Sequence, residues 1–303
     1  MSRSVGVTAS AIVAFLGSSI AALLAAFMAA SPFIAMLQPQ PPNSAQIAMV
    51  SAAMFATLAV LGIWTSVGLF RLRSWARTSI LVFACFLAAG SLFGLLMTPF
   101  LPKSPNYSAG TEHVVRLTLV AAFGIPLAIA VWWLVQLNTQ STKAAFASPM
   151  AEPASSRPLS ITVIAWACIA GGATCLIPLL LRSPAFLFGA TFNGWSGALI
   201  YVMLGALQLY IGKGLLDLQE RARILAIAWF ALSFVHGSVV ILVPSIRQRM
   251  LELPPTLEQN QPNPMLFEGT MMYLTLAFTA IVAAIAIWFL IRNRPAFVRA
   301  ESA

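Results

Sequence analysis

The side chains that could carry out chemistry in this chain are few, and His236 comes first among them. It is the one titratable group in a long apolar run at positions 224–246. A histidine inside a membrane span relays protons, binds a substrate or hydrogen-bonds a neighbouring helix. The scarcity of other polar groups favours interhelical hydrogen bonding, and a transport or binding role is the alternative.

Glu112, Arg116 and Glu268 complete, with His236, a candidate intramembrane polar site. Glu112 and Arg116 are four residues apart, a spacing that places them on one helical face and predicts an ion pair. Arg116 lies less than one turn into its apolar run, where it can extend to the headgroups. Glu268 occupies the matching place in the second half, but Met272 replaces the arginine there. We therefore expect no symmetric charged site.

Ser196 lies in a Gly-Trp-Ser-Gly segment. The segment resembles the Gly-x-Ser-Gly sequence around the nucleophile of rhomboid-type intramembrane serine proteases. His236 is the only base nearby in the sequence. At ~1.5 Å rise per residue, however, the two side chains are expected to lie about 10 Å apart along the membrane normal. A nucleophile and its base need hydrogen-bond reach, so a protease is not expected.

Other catalytic sets are missing from the sequence. Asp217 is the only aspartate, which excludes a paired-aspartate intramembrane protease. There is no His-Glu-x-x-His, no phosphate-binding glycine loop and no Cys-x-x-Cys. Cys85, Cys168 and Cys175 fall in apolar runs, as small buried hydrophobic residues do. We expect no enzyme activity, no cofactor and no metal site.

The segments that position these residues are too apolar for a soluble protein. Of 303 residues, 60% are hydrophobic and only 8% are charged. A helix of about 20 apolar residues crosses the hydrocarbon core, and run length favours helices over barrel strands. The predicted fold class is an all-α polytopic transmembrane bundle, with the first span kept as an uncleaved helix. Eight spans are predicted, at 7–31, 46–69, 78–98, 114–137, 159–182, 194–213, 224–244 and 269–291.

The basic residues predict the orientation, because they concentrate in cytoplasmic loops. With the amino terminus inside, most of the 17 basic residues fall on the inner side. Both termini are therefore expected in the cytoplasm and the protein in the cell (inner) membrane. The inner residues are Arg3, Arg71, Arg73, Arg77, Lys143, Arg157, Lys213, Arg221, Arg223, Arg292, Arg294 and Arg299; the outer ones are Lys103, Arg116, Arg182, Arg247 and Arg249.

The formal charge of +9 points to a lipid partner. The basic residues are scattered at helix ends, which suits anionic headgroups on the cytoplasmic side and does not suit nucleic acid. A membrane protein or a second copy of the chain is a further candidate partner.

The second half repeats the first. Gly68, Ala76 and Arg77 correspond in order to Gly214, Ala222 and Arg223, and similar matches follow along the other helices. An even number of spans per copy makes the repeat parallel, with four helices in each copy. The predicted domains are 1–138 and 159–303, joined by a cytoplasmic linker at 139–158. Pro126 and Pro178 are candidate helix breaks at the interface of the copies.

The loop after the second helix of each copy is interpreted as a topology and anchoring device. Its basic residues can extend to the headgroups, and the tryptophans suit the aromatic belt. The anchoring set is Arg71, Arg73, Trp75, Arg77, Arg221, Arg223, Trp132 and Trp288.

Gly68-Leu69, Leu72 and Trp75-Ala76-Arg77 together resemble a signature of small uncharacterised bacterial multi-pass membrane proteins, Gly-Leu-Leu-x-Leu-x-x-Trp-Ala-Arg. The second copy departs from it at Arg221, where the tryptophan would stand. The resemblance implies a membrane protein and brings no activity with it.

Two functions remain as hypotheses. The first is a structural, assembly or sensory membrane protein that works through helix and lipid contacts. The alternative is a small-solute or ion transporter or channel with a site between the two repeats.

Overall fold

A computed structural model describes residues 5–34, 44–100, 109–146, 157–180, 183–251 and 269–301. Within these ranges, eight helices are long and apolar enough to cross a membrane. They are Val5–Ser31, Ala48–Phe70, Ser74–Phe100, Thr111–Gln136, Leu159–Leu180, Gly194–Leu216, Glu220–Leu242 and Met272–Arg292. Each matches one predicted span, and the predicted all-α class is confirmed. The chain is a multi-pass membrane protein, because helices satisfy the backbone hydrogen bonds that lipid cannot.

The chain divides near residue 155 into two compact units. Unit 1 contains α1 (Val5–Ile34), α2 (Ser44–Phe70), α3 (Ser74–Met97) with a 3-10 turn after it, α4 (Ala109–Gln136) and α5 (Gln140–Phe146). Helix α1 packs along α2, and α3 packs along α4. The short helix α5 buries Thr142 and Phe146 although it falls in the predicted linker.

Unit 2 contains α6 (Leu159–Thr174), α7 (Leu176–Leu180), β1 (Ala185–Leu187), β2 (Ala190–Phe192), α8 (Gly194–Leu216), α9 (Glu220–Leu242), α10 (Pro244–Leu251), α11 (Gly269–Arg292) and α12 (Arg294–Glu301). Its core is formed by α6, α8, α9 and α11, and Phe297 of α12 is fully buried in it. Strands β1 and β2 form a two-stranded antiparallel hairpin, with Ala185 opposite Phe192.

The two prolines behave differently. The helix of the fifth span is interrupted at Cys175, three residues before Pro178, as expected where proline removes a backbone donor. Pro126, by contrast, lies inside the continuous helix α4, so the prediction of a break there is wrong.

Helix α3 carries a Gly90–Gly94 pair, and the two positions differ. A Cβ atom at Gly94 would stand 2.5 Å from the ring of Phe123 on α4, whereas a Cβ at Gly90 would meet nothing within 4 Å. Close packing of α3 on α4 therefore depends on one of the two glycines.

Candidate functional site

The turn between α2 and α3 brings two helix ends into close contact. Leu72 adopts a left-handed conformation (φ 52°), and the N–H of Arg73 donates to the carbonyl of Gly68 at 2.9 Å. This is the bond that closes a helix whose chain reverses after a left-handed residue. A Cβ at Gly68 would stand 2.6 Å from the Cβ of Ala76, so glycine is required there.

The turn between α8 and α9 has the same geometry. Leu218 is left-handed (φ 54°), and the N–H of Gln219 donates to the carbonyl of Gly214 at 2.8 Å. A Cβ at Gly214 would stand 2.5 Å from the Cβ of Ala222. In each unit the turn places an arginine one residue beyond this alanine, on the first turn of the following helix.

In unit 1 that arginine is Arg77. Its Nε donates to the carbonyl of Leu137 at 2.8 Å, and its Nη2 donates to the Oδ1 of Asn138 at 3.3 Å. Both acceptors belong to the two residues that follow α4, at the end of a helix whose last carbonyls lack intrahelical partners. Arg77 therefore links the start of α3 to the end of α4.

In unit 2 the matching arginine is Arg223, which is only 8% exposed. Its Nε and Nη2 donate to the carboxylate of Glu220 at 2.7 and 2.5 Å, in a two-pronged ion pair. Its Nη1 reaches the carbonyl of Leu290 on α11 at 3.5 Å. Arg294 of α12 contributes a more distant charge, 3.9 Å from Glu220.

Arg223 was predicted to anchor at the headgroups, and in the structure its guanidinium is engaged by protein groups. A buried guanidinium paired with a carboxylate faces the protein, because a charge in low dielectric needs a partner. Glu220 was not singled out from the sequence, although its place three residues before Arg223 is a spacing at which helical side chains meet.

Headgroup anchoring by the other residues of the set stays a prediction. Arg71, Arg73 and Arg221 are exposed, and Trp132 is half-buried. Trp75 packs edge-on against Trp64, with ring centroids 5.9 Å apart, and Trp288 lies under the guanidinium of Arg292 at 5.0 Å.

The predicted ion pair at the start of α4 is present. Arg116 Nη2 lies 2.8 Å from Glu112 Oε1. Glu268 lies outside the described residues. Met272 follows on α11, and its sulfur accepts a hydrogen bond from Nη1 of Arg247 at 3.0 Å.

His236 is held by the hairpin of unit 2. Its Nδ1 accepts a hydrogen bond from the backbone N–H of Phe188 at 3.3 Å, and the two rings meet edge to face at 4.9 Å. The partner is a loop amide, which differs from the interhelical bond that was expected. Ser196 donates elsewhere, to the carbonyl of Asn193 at 2.9 Å, and not to His236.

The hairpin makes three further contacts with the helices. The hydroxyl of Tyr201 donates to the carbonyl of Pro184 at 2.8 Å. A Cβ at Gly197 would stand 2.5 Å from the carbonyl oxygen of Phe192, so β2 lies directly on α8. Gly189, with φ 89°, lies against Ile246 of α10. The hairpin is thus fastened to α8, α9 and α10.

Replacing His236 with alanine is expected to loosen the hairpin tip. The Phe188 amide loses its acceptor, which costs about 1 kcal/mol for a partly exposed group. Backbone amide exchange over residues 185–192 should then accelerate several-fold while exchange in α6 stays unchanged. Tyr201→Phe is the matched variant, since it removes one bond from the base of the hairpin. Unchanged exchange in both variants would show that these bonds do not hold it.

Among the described residues, no group of three His, Cys, Asp or Glu side chains could hold a metal ion. Cys85, Cys168 and Cys175 are free thiols, and Cys168 is buried. The side-chain contacts described above thus join helix ends and the hairpin to their neighbours.

Comparison with protein-family models, with curated proteins and with solved structures finds no match for this chain.

Proposed function

We propose that this protein is a non-enzymatic structural, assembly or sensory component of the cell (inner) membrane, acting through helix and lipid contacts. The observation that carries the proposal is the use of polar side chains. Arg77 and Arg223 fasten helix ends, and His236 fastens a hairpin. Groups engaged in this way are poor candidates for handling a substrate.

The hydroxyl groups of the spans are used in the same manner. Several donate to the carbonyl one turn earlier in their own helix, the usual local partner of Ser and Thr in helices. Examples are Ser18 to Ala14, Thr57 to Ala53, Thr65 to Leu61, Ser66 to Gly62, Thr118 to Val114 and Ser238 to Phe234, at 2.7–2.9 Å.

The architecture belongs to the same proposal. The two units are parallel repeats of four spans each, an interpretation supported by the identical left-handed turns at Leu72 and Leu218. Both repeats are followed by a short helix with one buried phenylalanine, Phe146 or Phe297. Both termini are cytoplasmic, as the distribution of basic residues favours.

The resemblance to small bacterial multi-pass membrane proteins with a Gly-Leu-Leu-x-Leu-x-x-Trp-Ala-Arg loop is part of the proposal too. The turn gives this signature a physical reason, since the glycine and the alanine are the residues in closest approach. A partner protein or a second copy of the chain would complete an assembly role.

One observation favours the alternative, a small-solute transporter or channel. The interruption at Cys175 lies beside a polar side chain, with Gln208 Nε2 of α8 at 3.9 Å from the Cys175 sulfur. Transporters commonly place their sites where a helix is discontinuous. This alternative places a polar pathway inside unit 2, at the α6–α7 interruption.

Thiol labelling in intact membranes separates the two functions. With Cys85 and Cys168 replaced by alanine, Cys175 reports on the interruption; in a chain free of native cysteines, His236→Cys reports on the hairpin. Under the proposal neither position reacts with a membrane-impermeant maleimide. Labelling of either from one side would establish water in the span and favour the transporter.

The same experiment tests the orientation. His113→Cys and Arg221→Cys place thiols at exposed positions in the first turn of their spans, which the proposed topology puts on opposite faces of the membrane. With cytoplasmic termini, position 113 should react from outside the cell and position 221 only after the membrane is permeabilised. The reverse pattern would overturn the proposed orientation.

A further inference from the structure

The two matching arginines differ in what neutralises them. Arg223 has its carboxylate, Glu220, on the same turn of α9. The equivalent position in unit 1 is Ser74, the first residue of α3, so Arg77 has no such partner. Its side-chain hydrogen bonds go to a carbonyl and to an amide oxygen, and both of these acceptors are uncharged.

The surroundings of Arg77 are basic as well. Arg71, Arg73 and Lys143 are exposed at the same end of unit 1. Among the described residues of that unit the only carboxylate is Glu112, at the other end of α4, about 36 Å away along a helix with ~1.5 Å rise per residue. In unit 2, Asp217 and Glu220 lie among the basic residues of the corresponding end.

The guanidinium of Arg77 also has N–H donors that its two hydrogen bonds do not use. A guanidinium has five N–H donors, and the two bonds use the one on Nε and one on Nη2. The other three have no partner within the described ranges. Because the Leu137 carbonyl holds Nε in place, this half-buried guanidinium is positioned in advance for an anion.

The exposed ring of Trp75, packed against Trp64, lies on the same turn as Arg73 and Arg77. Tryptophans of this kind lie at the depth of the headgroups, where lipid phosphates are also found. The anion nearest to this cluster in a membrane is therefore a phospholipid phosphate.

We propose that the basic end of unit 1, formed by Arg71, Arg73, Arg77 and Lys143, is a binding site for the phosphate of an anionic phospholipid. The site deepens the proposed function, on which it rests for the placement of this end at the headgroups. Unit 2 lacks the site because Glu220 already forms an ion pair with the matching arginine, Arg223. The lipid would take in unit 1 the place that a carboxylate side chain takes in unit 2.

Ser74→Glu tests the site directly, since it supplies unit 1 with the carboxylate that unit 2 has. Native mass spectrometry of the full chain in detergent, titrated with phosphatidylglycerol, measures the affinity. Each basic residue near an anionic surface contributes about fivefold to the binding affinity. A glutamate at position 74 that pairs with Arg77 should therefore weaken the binding of phosphatidylglycerol at least fivefold. The melting temperature of this variant should stay equal or rise, because the introduced carboxylate repeats the pairing of Glu220 with Arg223.

Two control variants distinguish binding at the site from an effect of the net charge of the protein. Ser74→Gln introduces a side chain of the same size as glutamate without its charge. Gln219→Glu adds the same negative charge next to the turn of unit 2. Both should bind phosphatidylglycerol within twofold of the unaltered chain. Equal weakening by Ser74→Glu and Gln219→Glu would overturn the proposal in favour of general surface attraction.

Two further measurements identify the ligand, and two further variants cover the case in which Ser74→Glu does not fold. Phosphatidylcholine should bind at least fivefold more weakly than phosphatidylglycerol. Competition by millimolar inorganic phosphate would show that the ligand is a soluble phosphate and would overturn the lipid assignment. If Ser74→Glu does not fold, Arg73→Gln and Lys143→Gln each test the site with the same expected fivefold loss. Thiol labelling at positions 175 and 236 is independent of all these results, so failure of the site and failure of the proposed function are distinguishable.

Discussion

Replacing Glu220 with alanine is expected to destabilise the protein by about 3 kcal/mol. Removing one partner from a buried ion pair leaves the other charge unpaired in low dielectric, which costs about 3–5 kcal/mol. The side chains of Arg223 and Glu220 are 9% and 20% exposed, so the lower end of that range applies. The free energy of unfolding in mixed detergent micelles, followed by circular dichroism, measures the loss.

The neighbouring Arg221→Ala is the control for this prediction, because Arg221 is exposed on the same turn. Its effect should stay within about 0.5 kcal/mol. The double variant Glu220→Gln with Arg223→Met should recover much of the loss, since it removes both charges together. If Glu220→Ala behaves like Arg221→Ala, the pair does not hold the ends of α9 and α11.

Arg77 provides the comparison between the two units. It has hydrogen bonds to Leu137 and Asn138 and no ion pair, so its loss breaks the link between α3 and α4 without leaving a buried carboxylate behind. Arg77→Ala should therefore cost about 1.5–3 kcal/mol, less than the loss of Glu220. Anionic phospholipid should stabilise the unaltered chain more than it stabilises this variant.

The eight spans were predictable because hydrocarbon thickness constrains them from outside the protein. A charge-free run of about 20 residues has few other structures open to it. The ion pair of Glu112 and Arg116 was predictable for a similar reason, since both residues lie on one helix at a spacing that brings their side chains together.

The tertiary contacts of the arginines could not be read from local spacing. Arg77 and Leu137 are separated by 60 residues, and only the packing of α3 on α4 brings them together. The hairpin was missed because Ala185-Phe186-Leu187 and Ala190-Thr191-Phe192 are short and resemble the apolar spans around them. The available signal was Phe188-Gly189, since a glycine at a two-residue turn between apolar segments is typical of hairpins.

Replacing Gly212 with alanine is expected to force α6 and α8 apart. An added Cβ would stand 2.8 Å from the carbonyl oxygen of Ala165 and 3.1 Å from the backbone nitrogen of Ile169. Backbone atoms in a helix cannot move aside singly, so the helices must separate. Overpacking of this kind costs about 3 kcal/mol, and the better helix propensity of alanine offsets about 1 kcal/mol. We expect a net loss of about 2 kcal/mol in the free energy of unfolding.

Gly237→Ala is the matched control, because it makes the same substitution inside a helix of the same unit. A Cβ at Gly237 would meet nothing within 4 Å, so only the propensity gain remains. Its stability should be unchanged or higher by up to about 1 kcal/mol. The same substitution should thus lower stability at Gly212 and not at Gly237, because one glycine lies where α6 touches α8 and the other does not. Equal effects at both positions would mean that backbone approach at Gly212 does not hold these helices together.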